Sequence, residues 1–240
     1  MTAVEAGGAH AVVTGTSSGI GAAVAARLLA EGWRVHGLDR AEATITDECF
    51  EAHRLDLAEA AAVDELLAAL LGAGPPQALV HAAGVLRTAP LGRLRERADD
   101  NALMWRLHVE GATRLADAVL PAMVRAGRGR VVLVASRVWP GMAGRSQYAA
   151  TKAALVSLAR SWAAEVIAAG VTVNVVSPAA TDTPMLGDPG RADSRPRLPP
   201  IGRLIEPAEV AALVSFLVGE DAAAITGQDI AVCGGASLPR

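Results

Sequence analysis

The chain has 240 residues, 52% of them hydrophobic but only 3% aromatic, and a formal charge of -3. That length allows a substantial core, and abundant Gly and Ala suit helices packed closely on a sheet better than a β-sandwich. The charge balance lacks the basic excess of a nucleic-acid or anionic-membrane binder, Cys49 and Cys233 have neither disulfide-framework nor metal-ligand spacing, and no uncharged apolar run is long enough to span a bilayer. The expectation is a cytoplasmic protein with a small-molecule partner, no nucleic acid, no membrane and no metal, and with no signal peptide in residues 1–10.

Residues 10–14 read as a short Val-rich strand, followed by Thr14-Gly15-Thr16-Ser17-Ser18-Gly19-Ile20-Gly21 and an Ala/Leu-rich helix to Glu31. Strand, glycine turn and helix in that order bring unpaired backbone N–H groups close to an anion, as a pyrophosphate requires. Residues 33–38 form a second strand ending in Asp39, which stands 20 residues beyond Gly19. An acid there accepts hydrogen bonds from adenosine ribose hydroxyls and repels a 2′-phosphate, favouring NAD. Arg40, next in the chain, is the residue that would grip a 2′-phosphate, so NADP is the lesser expectation.

A third strand, 50–55, closes on Asp56, whose carboxylate can receive an adenine amino group. A helix over 58–71 follows, then a fourth strand, 77–81, running into Ala82-Ala83-Gly84, small residues against which a flat ligand can lie. Arg87, Arg93, Arg95 and Arg97 crowd the next segment, read as a solvated face. A long helix is predicted over 99–125 and a β-branched strand over 130–136.

Ser136, Tyr148 and Lys152 then place a hydroxyl, a phenol and an amine in one short span. Tyr148 and Lys152 are four apart in an apolar-periodic run (Tyr148, Thr151, Leu155, Leu158, Trp162), so on a helix they share a face. A cation within about 4–6 Å of a phenol favours the phenolate, toward the range of a general acid/base. The helix runs on to about residue 169, capped by Gly170. A strand over 171–176 leads into Ser177-Pro178-Ala179-Ala180-Thr181-Asp182-Thr183-Pro184-Met185. The Pro-, Gly- and Arg-rich stretch to residue 203 reads as a lid over a cleft. Pro207 starts a last helix reaching about 218, and 230–232 make a final strand. The alternation predicts an α/β chain: one Rossmann-type domain over 1–240, with a doubly wound parallel sheet of about seven strands and helices on both faces. Cofactor binding falls mainly in 10–110 and the catalytic and substrate part in 130–205, with the lid at about 184–203.

Thr14-Gly15-x-x-x-Gly19-x-Gly21, Asp39, Asp56, Ala82-Ala83-Gly84, Ser136, Tyr148-x-x-x-Lys152, Asn174 with Pro178, Thr183 and Thr226-Gly227 together resemble the classical short-chain dehydrogenases/reductases, over nearly the whole chain. The resemblance implies reversible hydride transfer between a nicotinamide cofactor and a hydroxyl or carbonyl carbon. Tyr148 would be the general acid/base, Lys152 would depress its pKa and hold the nicotinamide ribose, and Ser136 would polarise the substrate oxygen. The cofactor set it implies is Gly15, Ser17, Ser18, Gly19, Ile20, Gly21, Asp39, Arg40, Asp56, Leu57, Ala82, Ala83, Gly84, Tyr148, Lys152, Pro178, Thr181 and Thr183. It also implies a homotetramer or homodimer built on the two long helices.

The chain departs from the pattern at His108, in His108-Val109-Glu110-Gly111, where the family usually has Asn. His108 is expected to take over that hydrogen-bonding role as a fourth catalytic member and to add a pH dependence of its own. His81, Ala179 and Cys233 are read as structural substitutions. Arg87, Arg137, Arg145, Arg191, Arg195 and Arg197 around the cleft mouth point to an anionic substrate. Trp139 is expected either as an apolar wall beside Ser136, with Met185 from the lid, or as a core-packing residue. Ala169, where carrier-linked acyl reductases often have a basic residue, counts against carrier-bound acyl substrates. A 3-oxoacyl-type ketoreductase and a cyclic dihydrodiol dehydrogenase are the alternative activities, and a non-catalytic cofactor-binding sensor or scaffold the alternative of another class.

Overall fold

Short runs, all but one of them containing Val and most with Gly or Asp at or near an end, become seven parallel strands among the described residues: β1 (His10–Thr14), β2 (Arg34–Asp39), β3 (Phe50–Arg54), β4 (Ala78–His81), β5 (Gly129–Val134), β6 (Val171–Pro178) and β7 (Asp229–Val232). They lie in the order β3-β2-β1-β4-β5-β6-β7, every adjacent pair parallel. The computed structural model describes residues 9–191 and 197–239. Arg195 and positions 192–196 of the expected lid lie outside the described residues, as does most of the segment screened for a signal peptide.

Alternate side chains on each strand feed opposite cores. Val12, Leu79, Val131, Leu133 and Val173 face the layer of α2 (Ala60–Ala73), α4 (Gly111–Ala126) and α5 (Ser146–Val166). Ala11, Val13, Val35, Val80, Val132 and Val176 face α1 (Gly19–Ala30) and α6 (Pro207–Val218). Because both faces are covered, the central strands are mostly apolar on both faces, with a few buried polar side chains such as Thr14, His81 and Asn174. The strand order reverses between β1 and β4. Their carboxyl ends therefore diverge and open a crevice for a ligand.

The helix predicted over 99–125 is not continuous. It begins as a 3₁₀ turn (Leu94–Arg97) and α3 (Ala98–Met104), widens into a π turn (Trp105–Glu110), and resumes as α4. One wide turn rotates the following residues relative to an ideal helix, leaving Trp105 exposed while His108 is buried. Strand β5 also ends at Val134, short of the predicted boundary, so Ser136 sits in the loop beyond the sheet.

Candidate active site

A cleft of about 1610 Å³ opens at the carboxyl ends of the strands. It exceeds the roughly 300–1,000 Å³ of an ordinary small-ligand pocket and has room for a dinucleotide and a substrate together. Gly15, Ser17, Ser18, Gly19, Ile20, Gly21, Asp39, Arg40, Asp56, Leu57, Ala82, Ala83 and Gly84 line one part, and Ser136, Arg137, Arg145, Tyr148, Lys152, Pro178, Thr181, Thr183 and Met185 the other.

The nucleotide half is shaped by absent side chains. A Cβ on Gly21 would be driven into the carbonyl oxygen of Gly15, and Gly15 itself has φ +77° with the Ala83 backbone 3.0 Å from where its Cβ would be. The first turn of α1 thus meets the β1 and β4 ends backbone to backbone, a cradle that suits a pyrophosphate at a helix N-terminus. The Asp39 carboxylate accepts from the Ser17 N–H at 2.9 Å and the Ser17 hydroxyl at 2.7 Å, and from the Ala41 N–H at 3.0 Å. It is therefore fixed at the end of β2, holding the glycine turn and facing the cleft.

In the other half, Tyr148 and Lys152 share the buried face of α5, as their spacing predicts. The electrostatics differ from the sequence expectation. Lys152 Nζ lies 5.8 Å from the Tyr148 ring centroid and donates to the Val134 carbonyl at 2.9 Å, at the end of β5. Its own pKa falls to about 7 through burial. The Tyr148 phenol is raised by burial, an effect that the Ser136 hydroxyl and the Arg145 and Arg191 guanidinium groups only partly offset. Desolvation outweighs nearby charge here, so the expected lowering of the phenol is corrected to a rise.

His108 is fully buried behind the cleft and is not part of its lining. Its Nε2 accepts the Val85 N–H at 3.0 Å, which places the ring proton on Nδ1 for donation to Thr151 Oγ1 at 2.8 Å; Thr151 in turn donates to the Tyr148 carbonyl at 2.8 Å. The ring also packs edge-on against Tyr148, with centroids 5.7 Å apart. Burial, Lys152 and His81 hold its pKa well below the usual histidine value. The expected titration of His108 is thus corrected: it stays neutral and ties the Gly84–Val85 turn to α5.

His81 is buried and held near pKa 3, by burial first and by Lys152 second. Its Nδ1 meets Thr14 Oγ1 at 3.1 Å, while that oxygen accepts the N–H groups of Ala82 at 3.1 Å and Ala83 at 3.0 Å. Thr14 and Thr151 are thus organising hydroxyls that sequence reasoning passed over. Both sit at positions whose neighbours read as apolar core; the only signal was a polar side chain in a buried register.

Arg137, Arg145, Arg191 and Arg197 line the cleft, and Arg191 is only 7% exposed. Burial and the neighbouring Arg191, Arg137 and Arg197 all lower the pKa of Arg145. Arg87 does not join them. It pairs with Asp188 at 2.8 Å and Asp100 at 3.6 Å, pinning the 3₁₀ turns Pro184–Gly187 and Pro189–Arg191 over the cleft. Trp139 takes the core-packing alternative rather than the substrate wall: it is not among the cleft-lining residues, because its indole N–H donates to Asp229 at 2.6 Å and its ring packs on the core. Met142, Leu198 and Leu238 are instead among the apolar residues of the lining.

A glycine cradle at the switch point and a half-buried Ser136 beside the buried Tyr148 and Lys152 define a nicotinamide-dependent oxidoreductase. Residues 15–237 match the family model described as enoyl-(acyl carrier protein) reductase. The subunit BbsD of (2S)-[(R)-hydroxy(phenyl)methyl]succinyl-CoA dehydrogenase from Thauera aromatica is 35% identical over 240 residues, covering 95% of this chain and 96% of that one. The 3-oxoacyl-[acyl-carrier-protein] reductase FabG of Vibrio cholerae is 35% identical over 239 residues, covering 95% and 97%. A crystal structure of the 3-ketoacyl-(acyl-carrier-protein) reductase from Brucella melitensis complexed with NADH superposes with a TM-score of 0.86 at 27% identity, covering 96% and 99%. The chain belongs to the short-chain dehydrogenase/reductase family. It is an oxidoreductase acting on CH–OH or ketone groups with a nicotinamide cofactor.

Proposed function

We propose that the enzyme transfers a hydride between NAD and a secondary alcohol or ketone of a small anionic substrate, with Tyr148 as general acid/base. The observation that carries this reading is Tyr148, buried on α5 between the Ser136 hydroxyl and Arg145, at the wall of a cleft whose other end is the glycine cradle. Gly15 to Gly21 and the N-terminus of α1 would hold the pyrophosphate, Asp39 the adenosine ribose, Asp56 and Leu57 the adenine, Lys152 the nicotinamide ribose, and Pro178, Thr181 and Thr183 the carboxamide. The bound cofactor supplies or accepts the hydride at the substrate carbon.

The remaining steps belong to the chain. Ser136 hydrogen-bonds the substrate oxygen and aligns it with the phenol. Tyr148 gives its proton to that oxygen in reduction, and its raised pKa in the free enzyme keeps that proton in place; in oxidation the phenol first loses its proton to solvent, and the resulting phenolate takes the proton of the alcohol. Met142 and Met185 give the cleft an apolar wall beside the reacting carbon, and the segment over 184–203 would act as the lid. Asp39 favours NAD by repelling a 2′-phosphate, with Arg40 the only guanidinium beside it in the described cleft lining. Arg137, Arg145, Arg191 and Arg197 select for negative charge. We also propose a single domain, a homotetramer and a cytoplasmic setting.

The similarity to 3-oxoacyl-[acyl-carrier-protein] reductases supports a second reading, a ketoreductase of 3-oxoacyl thioesters. A single assay separates the two: initial rates with NAD and NADP on hydroxy acids, their methyl esters and the corresponding 3-hydroxyacyl thioesters. The proposal expects NAD-linked turnover of an acid, with Arg145→Ala raising KM for the acid at least about tenfold while leaving the ester unchanged. Turnover of thioesters alone, or an Arg145→Ala and Arg137→Ala pair without effect on any acid, overturns the anionic assignment. Cofactor binding without turnover on any substrate would remove the proposed mechanism.

A further inference from the structure

Outside the cleft, one cluster of side chains is used by nothing described so far. His36 on β2 is the register partner of Glu51 on β3, and His53 lies two residues beyond Glu51. With a side-chain period of two, all three project from the same face of the sheet. His36 Nδ1 is 3.2 Å from His53 Nε2 and 3.4 Å from one Glu51 carboxylate oxygen, while His53 Nε2 is 3.6 Å from the other.

A tetrahedral ion with imidazole nitrogens at about 2.0–2.1 Å and a carboxylate oxygen at about 2.0–2.2 Å sets its ligand atoms about 3.3–3.5 Å apart. The separation of the two imidazole nitrogens and that from His36 Nδ1 to one Glu51 oxygen are already of that size, and the other Glu51 oxygen stands 3.6 Å from His53 Nε2, so a small turn of the exposed carboxylate would complete the set. Hydrogen bonding alone accounts for it poorly. One ring proton can serve the His36–His53 contact, but both nitrogen–carboxylate separations exceed the roughly 2.7–3.2 Å of a good hydrogen bond.

We propose that His36, Glu51 and His53 form a binding site for a divalent transition-metal ion of the zinc class, separate from the cofactor cleft. Two neutral imidazoles and a carboxylate suit that class over calcium or magnesium. The imidazoles are nearly buried, at 11% and 16% side-chain exposure, whereas Glu51 is 59% exposed and leaves the outer side open to a water ligand. The His36 ring is further fixed by the edge of His10, 5.7 Å away, whose Nε2 lies 3.0 Å from the Pro75 carbonyl. The ion would cross-link the sheet's edge strand, β3, to β2, just before Asp39 and Asp56 enter the cleft wall. Its role is to staple the adenosine end of the site.

The test uses tag-free, metal-stripped full-length protein titrated with Zn²⁺ and, separately, Co²⁺. Calorimetry should show one Zn²⁺ per chain, and Co²⁺ should give the intense visible bands of tetrahedral coordination. A hundredfold excess of Zn²⁺ over Kd should raise Tm by roughly 5–10 °C, reversed by chelator. Glu51→Gln and His53→Ala should each weaken binding at least about tenfold, with turnover at saturating cofactor unchanged. Absence of stoichiometric binding, a pale octahedral cobalt spectrum, or wild-type affinity in Glu51→Gln overturns the site. The exposed Glu51 position keeps the test decisive should His53→Ala fail to fold.

Discussion

At the residue scale, the catalytic group is held by neighbours that satisfy one another rather than by free charges. His108 has both ring nitrogens engaged, by Val85 and Thr151. His108→Asn can make the same two bonds, an amide oxygen accepting and an amide N–H donating. It is therefore expected to keep kcat within a few-fold and to leave the pH–rate profile unchanged, since the histidine it replaces stays neutral. His108→Leu strands the Val85 N–H and should cost about 1–3 kcal/mol in stability by denaturant titration. A shifted pH profile in His108→Asn would restore the titrating role that the buried geometry argues against.

Lys152 yields a prediction with a definite sign. Its native pKa, about 7, lies below the ordinary lysine value of 10.5. Between those limits the unfolded chain binds more protons than the native one, so this group's contribution makes stability rise with pH across the window and level off above it. Lys152→Met should accordingly raise the Tm of the cofactor-free protein at pH 7 while abolishing turnover. The Tm gap over wild type should narrow from pH 7 toward pH 10. A gap that stays constant or widens would mean that Lys152 is charged and paired in the native state.

At the element scale, the π turn between α3 and α4 and the two 3₁₀ turns after β6 do the positioning. The first brings His108 under the Gly84 turn; a Cβ on Gly84 would lie 3.0 Å from His108 Nε2. The second pair is anchored by Arg87 to Asp188, which holds the turn that carries the buried Arg191. Asp188→Asn removes the anchor's charge without removing a cleft cation. It should raise KM for an acid substrate several-fold with a smaller change in kcat, as measured by steady-state kinetics. An unchanged KM would show that the turns hold their place without the ion pair.

At the scale of the whole molecule, the sheet places every reacting group at one edge, and the outer faces of the helices remain for assembly. Trp105 in the π turn, Val124 in α4 and Ile167 just after α5 are exposed apolar side chains on the two helices expected to pair across a two-fold axis. Burying such a face between copies is the ordinary route to a closed dimer or tetramer. Size-exclusion with light scattering should give about four chain masses, and Trp105→Glu should shift the mass downward. A single-chain mass for the wild type would exclude the assembly.

The strands, the glycine turn, Asp39 and the Tyr148–Lys152 pair were legible from the order of residues because each depends on local spacing: a period of two, a period of 3.6, or a glycine where a Cβ has no room. The family, too, was carried by such spacings. Tertiary structure alone decided what depends on groups distant in the chain. It turned Trp139 away to Asp229 and paired Arg87 with Asp188. It broke the long helix at His108, and brought His36, 17 residues distant, against His53. Most of all it decided the protonation states. The sequence places a phenol beside an amine, but only burial, which no spacing reveals, raises the one and lowers the other.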